Sequence, residues 1–320
     1  MATREPHVGT PHLFYQLIEP RVVLEMAALP WLLPMLARAP RGDGHPVLLL
    51  PGFMADEGTL IVLKLFLENR GYEVQTWGFG RNVGFSSRHA TALVQKIRYL
   101  HHRSGRTVSL VGWSLGGLFA MFGAHEAPEC IRSLITIGSP VTFDPAGSQS
   151  PPLVKALYRL IAHPMGTAAH VTHLRAKNLR RPKVLPVPIS CIYSLTDGVV
   201  PPQEATIDGD PALHENIRVP GSHLGMGFNP LVLRIVADRL AQPEGCWRPL
   251  TTAGISGRLY RWLTAGSASP PPVAGPAPSP LFVSGHAPGR APGSPGRRRA
   301  RTGQTPRDRA SARGKTSATR

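Results

Sequence analysis

From His45 to Gln242, short apolar runs alternate with longer stretches of helical period. Runs such as PVLLLPG and TVSLVGW have the length and composition of strands buried on both faces. Parallel neighbours in a sheet need a long connection, which is usually a helix. The alternation therefore predicts an α/β domain over residues 45–247, with a mostly parallel central sheet and helices on both of its faces.

Between Asp144 and Pro188 this alternation stops, since the connection is far longer than the roughly two to six residues usual between a strand and a helix. We interpret residues 144–188 as an insertion between two strands. The insertion is basic, with no acidic residue from Pro145 to Thr196. Its charges are explained by solvent exposure, by binding of anionic groups or by docking to a lipid surface.

Residues 1–44 contain the most apolar run of the chain, VVLEMAALPWLLPMLA. Glu25, Pro30 and Pro34 interrupt it, and it is shorter than the roughly 20 residues that cross a bilayer. Its distance from Met1 argues against a signal peptide. We predict a helical segment packed on the core, with contact to a membrane surface as the alternative.

Residues 266–320 have a different composition. Pro, Gly, Ala, Ser and Arg dominate, and ten Lys or Arg stand against one acid, within a chain of net charge +17. Such a segment has too little apolar surface to offset the entropy of ordering. We predict a disordered basic tail that is either merely solvated or binds a polyanion, such as nucleic acid or an anionic membrane.

Metal and redox motifs are missing from the sequence. The cysteines, Cys130, Cys191 and Cys246, are odd in number and match no metal or redox spacing. Acids are sparse, and no histidine pair has supporting ligand spacing. We therefore predict no cofactor and no metal, and a reducing, cytoplasmic location, peripheral to a membrane if the basic segments dock there. The sequence gives no signal for the oligomeric state.

Ser114 lies in SLVGWSLGGLFA, where an apolar run ends and a helical stretch begins. Gly112 and Gly116 flank it at the spacing Gly-x-Ser-x-Gly, which allows a sharp strand-to-helix turn that exposes the hydroxyl. A serine hydroxyl is a weak nucleophile unless a histidine takes its proton and a carboxylate orients that histidine. The pattern predicts a nucleophile, and a serine in an ordinary turn is the alternative.

Asp197 and His223 are the expected partners of Ser114. Asp197 follows the apolar run PISCIYSL, and His223 follows NIRVPG. Because the carboxyl ends of parallel strands share one edge of a sheet, we expect all three side chains there. The chain order of serine, acid and histidine is also the one expected for a nucleophile on such a turn. Asp144, after the strand in IRSLITIGSP, is the alternative acid.

An acyl transfer also needs two amide donors for the oxyanion, one after the serine and one in the loop after the early strand. Leu115 and Phe53 occupy these positions. In LPGF, Gly52 lets the chain turn tightly and aim the next amide inward. A plain turn is the alternative.

With LLLPGF, GWSLGG, TDGVVPP and GSHLGM in this order, the sequence resembles the α/β-hydrolase superfamily, above all its lipase and esterase branches. The likeness covers about residues 45–242. It implies the following roles: Ser114 as nucleophile, Asp197 as orienting acid, His223 as base, and Phe53 and Leu115 as oxyanion donors.

The same resemblance implies that residues 144–188 form a cap or lid over the site. It also places Arg81 and Asn82, in GFGRNVG, near the rim, with structural support of the loop as the alternative role. Trp113 stands where many lipases have histidine, and it too is expected to lie near the substrate.

These features predict a serine hydrolase that cleaves a small-molecule or lipid carboxylic ester with an apolar acyl group. An acyltransferase with the same triad is an alternative, since only the second nucleophile differs. A non-catalytic binding protein with a polyanion-binding tail is an alternative from another class.

Overall fold

The computed structural model describes residues 11, 13–27, 29–84, 86–141 and 185–250, with residues 151, 152 and 156. These residues belong to one compact unit, Met1–Val273. Most of the predicted insertion and all of the predicted tail lie outside the described residues. The same holds for Asp144, the alternative acid.

Six parallel strands form one sheet in the order β2-β1-β3-β4-β5-β6. They are β1 (Pro46–Leu50), β2 (Glu73–Thr76), β3 (Val108–Trp113), β4 (Ile131–Ile137), β5 (Ile189–Tyr193) and β6 (His214–Arg218). Every residue of β1, β3, β4 and β5 is buried, because helices cover both faces of the sheet. The predicted parallel sheet is confirmed.

The described helices are α1 (Leu13–Leu17), α2 (Val22–Ala27), α3 (Leu33–Ala37), α4 (Ile61–Asn69), α5 (Ser87–Ser104), α6 (Leu115–Glu126) and α7 (Pro230–Leu240). Short polar side chains cap two of them. The Ser86 hydroxyl accepts the His89 amide at 3.2 Å, and Asn229 Oδ1 accepts the Leu231 amide at 2.9 Å. A left-handed Gly105, with φ of +66°, ends α5.

Two apolar clusters hold these helices against the sheet. Successive residues of a strand point to opposite faces, so Leu48 of β1 packs with α5 and α6, whereas Val47 and Leu49 pack with α4 and α7. Leu36 of α3 joins the second cluster. The predicted arrangement of helices on both faces is therefore also confirmed.

The N-terminal segment, residues 13–37, buries little of its apolar surface. Leu24 is 74% exposed and Trp31 is 85% exposed, and Leu17 and Val23 are similarly open. Within the described part of the chain, no single helix has the length and apolar character to cross a membrane. Two consecutive helical pieces, Glu19–Ala27 and Pro30–Ala37, together have the required length and apolar composition, but the chain bends by 51° between them.

The strand order determines where a ligand can bind. β1 lies between β2 and β3, so the connections that leave β1 and β3 turn to opposite sides. Such a reversal opens a crevice at the carboxyl edge of a parallel sheet. The loop after β1 and the turn after β3 both open onto it, which places Gly52 and Ser114 at the same crevice.

Candidate active site

Ser114, Asp197 and His223 follow β3, β5 and β6 and meet at the carboxyl edge of the sheet. His223 Nδ1 lies 2.8 Å from Asp197 Oδ2, and His223 Nε2 lies 3.0 Å from Ser114 Oγ. Asp197 and His223 are buried, and Ser114 is partly exposed. This geometry lets the imidazole take a proton from a hydroxyl that a ligand can reach.

The turn at Ser114 is strained. Its φ of 54° and ψ of −123° are unusual for a residue with a side chain, and its amide donates to Ile137 O at 2.8 Å. A Cβ on Gly112 would lie 2.5 Å from the backbone of Gly116, and a Cβ on Gly116 would overlap Leu50 O. Both glycines are therefore required for β3, α6 and β1 to approach this closely.

Gly116→Ala should strongly destabilise the protein, whereas Gly123→Ala in the same helix should not. The first Cβ meets fixed backbone of Leu50 and Pro51. The second comes too close only to the flexible end of Ile97, at 2.5 Å, and meets Leu110 and Leu93 at ordinary contact distances of 3.6 and 3.7 Å. Overpacking against backbone costs about 3 kcal/mol or more, while alanine gains up to about 1 kcal/mol of helix propensity. Thermal unfolding should show a Tm lower by about 10 °C for Gly116→Ala only. Equal Tm values for the two variants would contradict this account.

The acid loop holds the Asp197 carboxylate in one orientation. Oδ1 accepts the amides of Val199 and Val200, both at 2.7 Å, which leaves Oδ2 for His223. A carboxylate accepts only, so Nδ1 must carry the proton, and Nε2 is left as the acceptor for the Ser114 hydroxyl. The loop therefore selects the tautomer that a general base needs.

The electrostatic surroundings of His223 favour its protonated form. Burial opposes the charged imidazolium, but the charge and hydrogen bond of Asp197 and the charge of Glu19 outweigh it. Together they raise the pKa of His223 above its usual value. The site thus stabilises the imidazolium that forms when the imidazole takes a proton.

Gly138, directly after β4, leaves room for the contact between Asp197 and His223. Its φ is +53°, and a Cβ would lie 3.2 Å from both Asp197 Oδ2 and His223 Nδ1, and 2.5 Å from Met226 Cε. A larger residue would therefore push into the bond between acid and base. Sequence reasoning missed Gly138, although its position at the end of an apolar run was a usable signal.

The loop after β1 lies against the nucleophile turn. A Cβ on Gly52 would lie 3.1 Å from Ser114 Cβ, so the loop that continues into Phe53 passes beside the serine. Leu115 is the first residue of α6, where a helix leaves its first amides without intrahelical acceptors. The predicted oxyanion donors therefore belong to the turn at Ser114 and to the loop that packs against it.

Asn82 supports this loop instead of lining a substrate rim. It is fully buried, and its Nδ2 donates to Pro51 O at 2.7 Å while its Oδ1 accepts the Gly84 amide at 3.1 Å. The backbone carbonyl of Asn82 also accepts the amide of Met54, at 2.7 Å. Both polar atoms of the side chain are thus used within the loop, which matches the supporting role considered as the alternative. Arg81, in the same segment, is exposed to solvent.

Trp113, the other residue predicted to lie near the substrate, packs beside His223. It is buried, with its ring centroid 6.4 Å from that of His223 and 6.3 Å from that of Phe228. As the last residue of β3, its side chain points to the sheet face opposite Gly112. Trp113 therefore forms an apolar wall beside the histidine.

A second chain of the same residue types lies at the opposite edge of the sheet. Asp43 Oδ1 is 2.6 Å from His45 Nδ1, and His45 Nε2 is 2.9 Å from Ser109 Oγ. His45 and Ser109 are fully buried, and burial lowers the pKa of His45 to about 4. No ligand can reach this serine. Access, and not residue type alone, distinguishes Ser114.

Other chemistry has less structural basis. No group of three or more His, Cys, Asp and Glu side chains within the described ranges could hold a metal ion. Cys130, Cys191 and Cys246 are free thiols, and burial raises the pKa of Cys191 to about 12. The basic residues predicted to contact a membrane or polyanion belong to segments that the structure does not describe.

Comparisons with known proteins agree with this architecture. No protein-family profile matches the chain. A pimeloyl-(acyl-carrier protein) methyl ester esterase of Yersinia pseudotuberculosis is 30% identical over 105 residues, which are 32% of this chain and 40% of that protein. Lipase B of Aspergillus fumigatus superposes with a TM-score of 0.50 and 19% identity, over 64% of this chain and 54% of the lipase.

The chain therefore spans less than two thirds of either protein's length. The structural likeness concerns the fold alone. The order of the parallel strands and the strained turn at Ser114 support the same fold assignment. On these grounds the chain has the α/β-hydrolase fold.

Proposed function

We propose that this protein is a serine hydrolase that cleaves carboxylic esters. The observation that carries the proposal is the unbroken hydrogen-bond chain from Asp197 through His223 to Ser114, with distances of 2.8 and 3.0 Å. A partly exposed serine at its end, on a strained turn in a crevice, is what nucleophilic catalysis requires.

In the proposed reaction, Ser114 Oγ attacks the ester carbonyl carbon while its proton moves to His223 Nε2. The carbonyl oxygen becomes an oxyanion, which the amides of Phe53 and Leu115 stabilise. The intermediate then collapses, and the leaving alkoxide takes the proton from His223 and departs as the alcohol. A water molecule repeats both steps on the acyl-enzyme, releasing the acid and restoring the Ser114 hydroxyl.

The positive charge that passes through His223 is matched by its surroundings. Asp197 Oδ2 accepts the Nδ1 proton, and the two amides on Oδ1 keep that carboxylate from rotating. The N-terminal end of α6 points its dipole at the position where the oxyanion forms. Both groups are in place before the reaction, so little reorganisation is needed as charge develops.

We propose an apolar acyl group, of a lipid or another ester, as the substrate class. Trp113 and Phe228 supply an apolar wall beside His223. Residues 13–33 expose large apolar side chains such as Leu24 and Trp31, on the segment that borders the acid and base loops. The name of the similar Yersinia protein, a methyl ester esterase, is compatible with carboxylic ester chemistry.

A fluorophosphonate probe tests the proposal, because it forms a stable adduct only with an activated serine. We expect stoichiometric labelling of the folded protein, with mass spectrometry locating the adduct on Ser114. Ser109 is the internal control, since it belongs to the buried Asp43–His45–Ser109 chain and should stay unmodified. Heat-denatured protein should not react.

Hydrolysis of p-nitrophenyl esters from two to sixteen carbons then tests the substrate class, with kcat/KM expected to rise with chain length. Added alcohol separates the acyltransferase alternative, since a transferase would form the new ester in preference to the acid. An unlabelled, folded protein that hydrolyses none of these esters would refute the proposed function.

A further inference from the structure

Glu19 connects the two loops that carry the acid and the base. It lies in the short 3₁₀ turn Glu19–Arg21, ahead of the sheet, and it is buried. Its Oε1 accepts the amides of Gly198 at 2.8 Å and His223 at 2.9 Å, and its Oε2 accepts the amide of Leu224 at 3.0 Å. One carboxylate thus binds the residue after Asp197 and the backbone of the histidine itself.

Two neighbouring charged residues reinforce this connection. Glu25 accepts both the amide and the hydroxyl of Ser222, each at 2.9 Å. Arg21 donates to Thr196 O at 2.9 Å and pairs with Glu25 at 3.1 Å. The segment before the sheet therefore contacts the residues immediately before both Asp197 and His223.

A buried carboxylate is costly unless hydrogen bonds replace its lost hydration. Glu19 has three amide donors from two separate loops, and each such charge-assisted bond is stronger than one between neutral groups. Withdrawing the carboxylate would leave three amides without this acceptor. The position of both loops consequently depends on Glu19.

We propose that Glu19 is a positioning residue of the site, which holds the loops of Asp197 and His223 at the separation that their hydrogen bond needs. The inference deepens the proposed function and rests on it. Glu19 does not touch the substrate in this role, but acts through the backbone and through its charge.

The charge of Glu19 gives this role a measurable signature. The charged groups that face His223 are Asp197 and Glu19, and the ion pair of Glu25 and Arg21 lies at Ser222, one residue before the histidine. Burial opposes the imidazolium, and the carboxylates of Asp197 and Glu19 raise the pKa of His223. Removing the Glu19 charge should therefore lower that pKa.

Glu19→Gln tests the proposal, because it keeps the size of the side chain but removes the charge. The side-chain NH₂ group of the glutamine would also face at least one of the three backbone amides, so that two hydrogen-bond donors would oppose each other. We expect kcat/KM for a p-nitrophenyl ester to fall about 10- to 100-fold. Only neutral His223 acts as the base, so a lower pKa should move the acid limb of the pH profile to lower pH.

Two further variants separate charge from shape. Glu19→Asp keeps the charge on a shorter side chain, so kcat/KM should fall while the acid limb stays near that of the wild type. Glu68→Gln, on the exposed face of α4, removes a carboxylate that pairs with Lys64 and should change neither quantity. If Glu19→Gln fails to fold, Glu19→Asp decides the question, and an unchanged kcat/KM in it would overturn the proposal.

An NMR titration of the His223 imidazole gives a readout that does not need turnover, with the resonance assigned from its loss in His223→Ala. A pKa lower in Glu19→Gln than in the wild type supports the positioning role even if no ester is hydrolysed, in which case the proposed function alone fails. An active wild type with the same acid limb and the same titration in Glu19→Gln would overturn the inference.

Discussion

Ser114→Ala should lower kcat for ester hydrolysis by about 10⁶-fold. Without Oγ no acyl-enzyme forms, and a water molecule would have to attack from a site that positions it poorly. Some acceleration over water should remain, because the variant keeps the amides of Phe53 and Leu115, which we propose as the oxyanion donors. The measurement is the steady-state rate with the best p-nitrophenyl ester, with circular dichroism and Tm confirming that the variant is folded.

Ser109→Ala is the matched control for this variant. It removes the serine of the buried Asp43–His45–Ser109 chain, so it should cost about 1 kcal/mol of stability and leave kcat within a few-fold of wild type. Combining Ser114→Ala with His223→Ala should be no worse than either change alone, since the two residues act as one unit. A Ser114→Ala variant within tenfold of the wild-type rate would exclude Ser114 as the nucleophile.

The sheet could be predicted because its strands are buried on both faces. In β1 and β3 every residue is buried, and a short, continuous apolar run is typical of a strand in that position. The order of the strands could not be predicted. Nothing in the sequence of β2 says that it pairs with the outer side of β1, since packing of α4 against the sheet determines that choice.

Ser114, Asp197 and His223 could be found together because each lies in the turn or loop that follows a strand. Parallel strands bring their carboxyl ends to one edge, so the position along the chain translates into a position in space. Asn82 had no such guide, because it lies in the irregular loop after β2. Its supporting role depends above all on the hydrogen bond from Asn82 Nδ2 to the carbonyl of Pro51, which forms only when the loop is folded.

Glu19 shows most clearly what sequence reasoning misses. A glutamate in a helical, apolar N-terminal segment has the same appearance as one on a solvated face. Its partners, Gly198 and His223, lie 179 and 204 residues further along the chain. Both partners bind Glu19 through their backbone amides, and almost every residue type has such an amide, so their side chains do not indicate the contact. Only the tertiary structure shows that this carboxylate lies beside the loops of Asp197 and His223.

Asp197→Asn should lower kcat by about 10⁴-fold, although it scarcely changes the shape of the side chain. The amides of Val199 and Val200 both donate to Oδ1, so the single oxygen of asparagine must face them. Its amide nitrogen then takes the place of Oδ2 and donates to His223 Nδ1. The imidazole would be forced into the tautomer with its proton on Nε2, which cannot accept the proton of Ser114.

The rate of fluorophosphonate labelling and kcat should fall together in Asp197→Asn, while Tm changes little. Asp208→Asn is the matched control, because Asp208 is exposed, and it should leave both rates unchanged. The loss of the carboxylate should also lower the pKa of His223, since its charge and hydrogen bond favour the imidazolium. A kcat within tenfold of wild type would mean that another group orients the histidine. The arrangement in which Oδ1 accepts two amides and Oδ2 faces His223 would then have no role in catalysis.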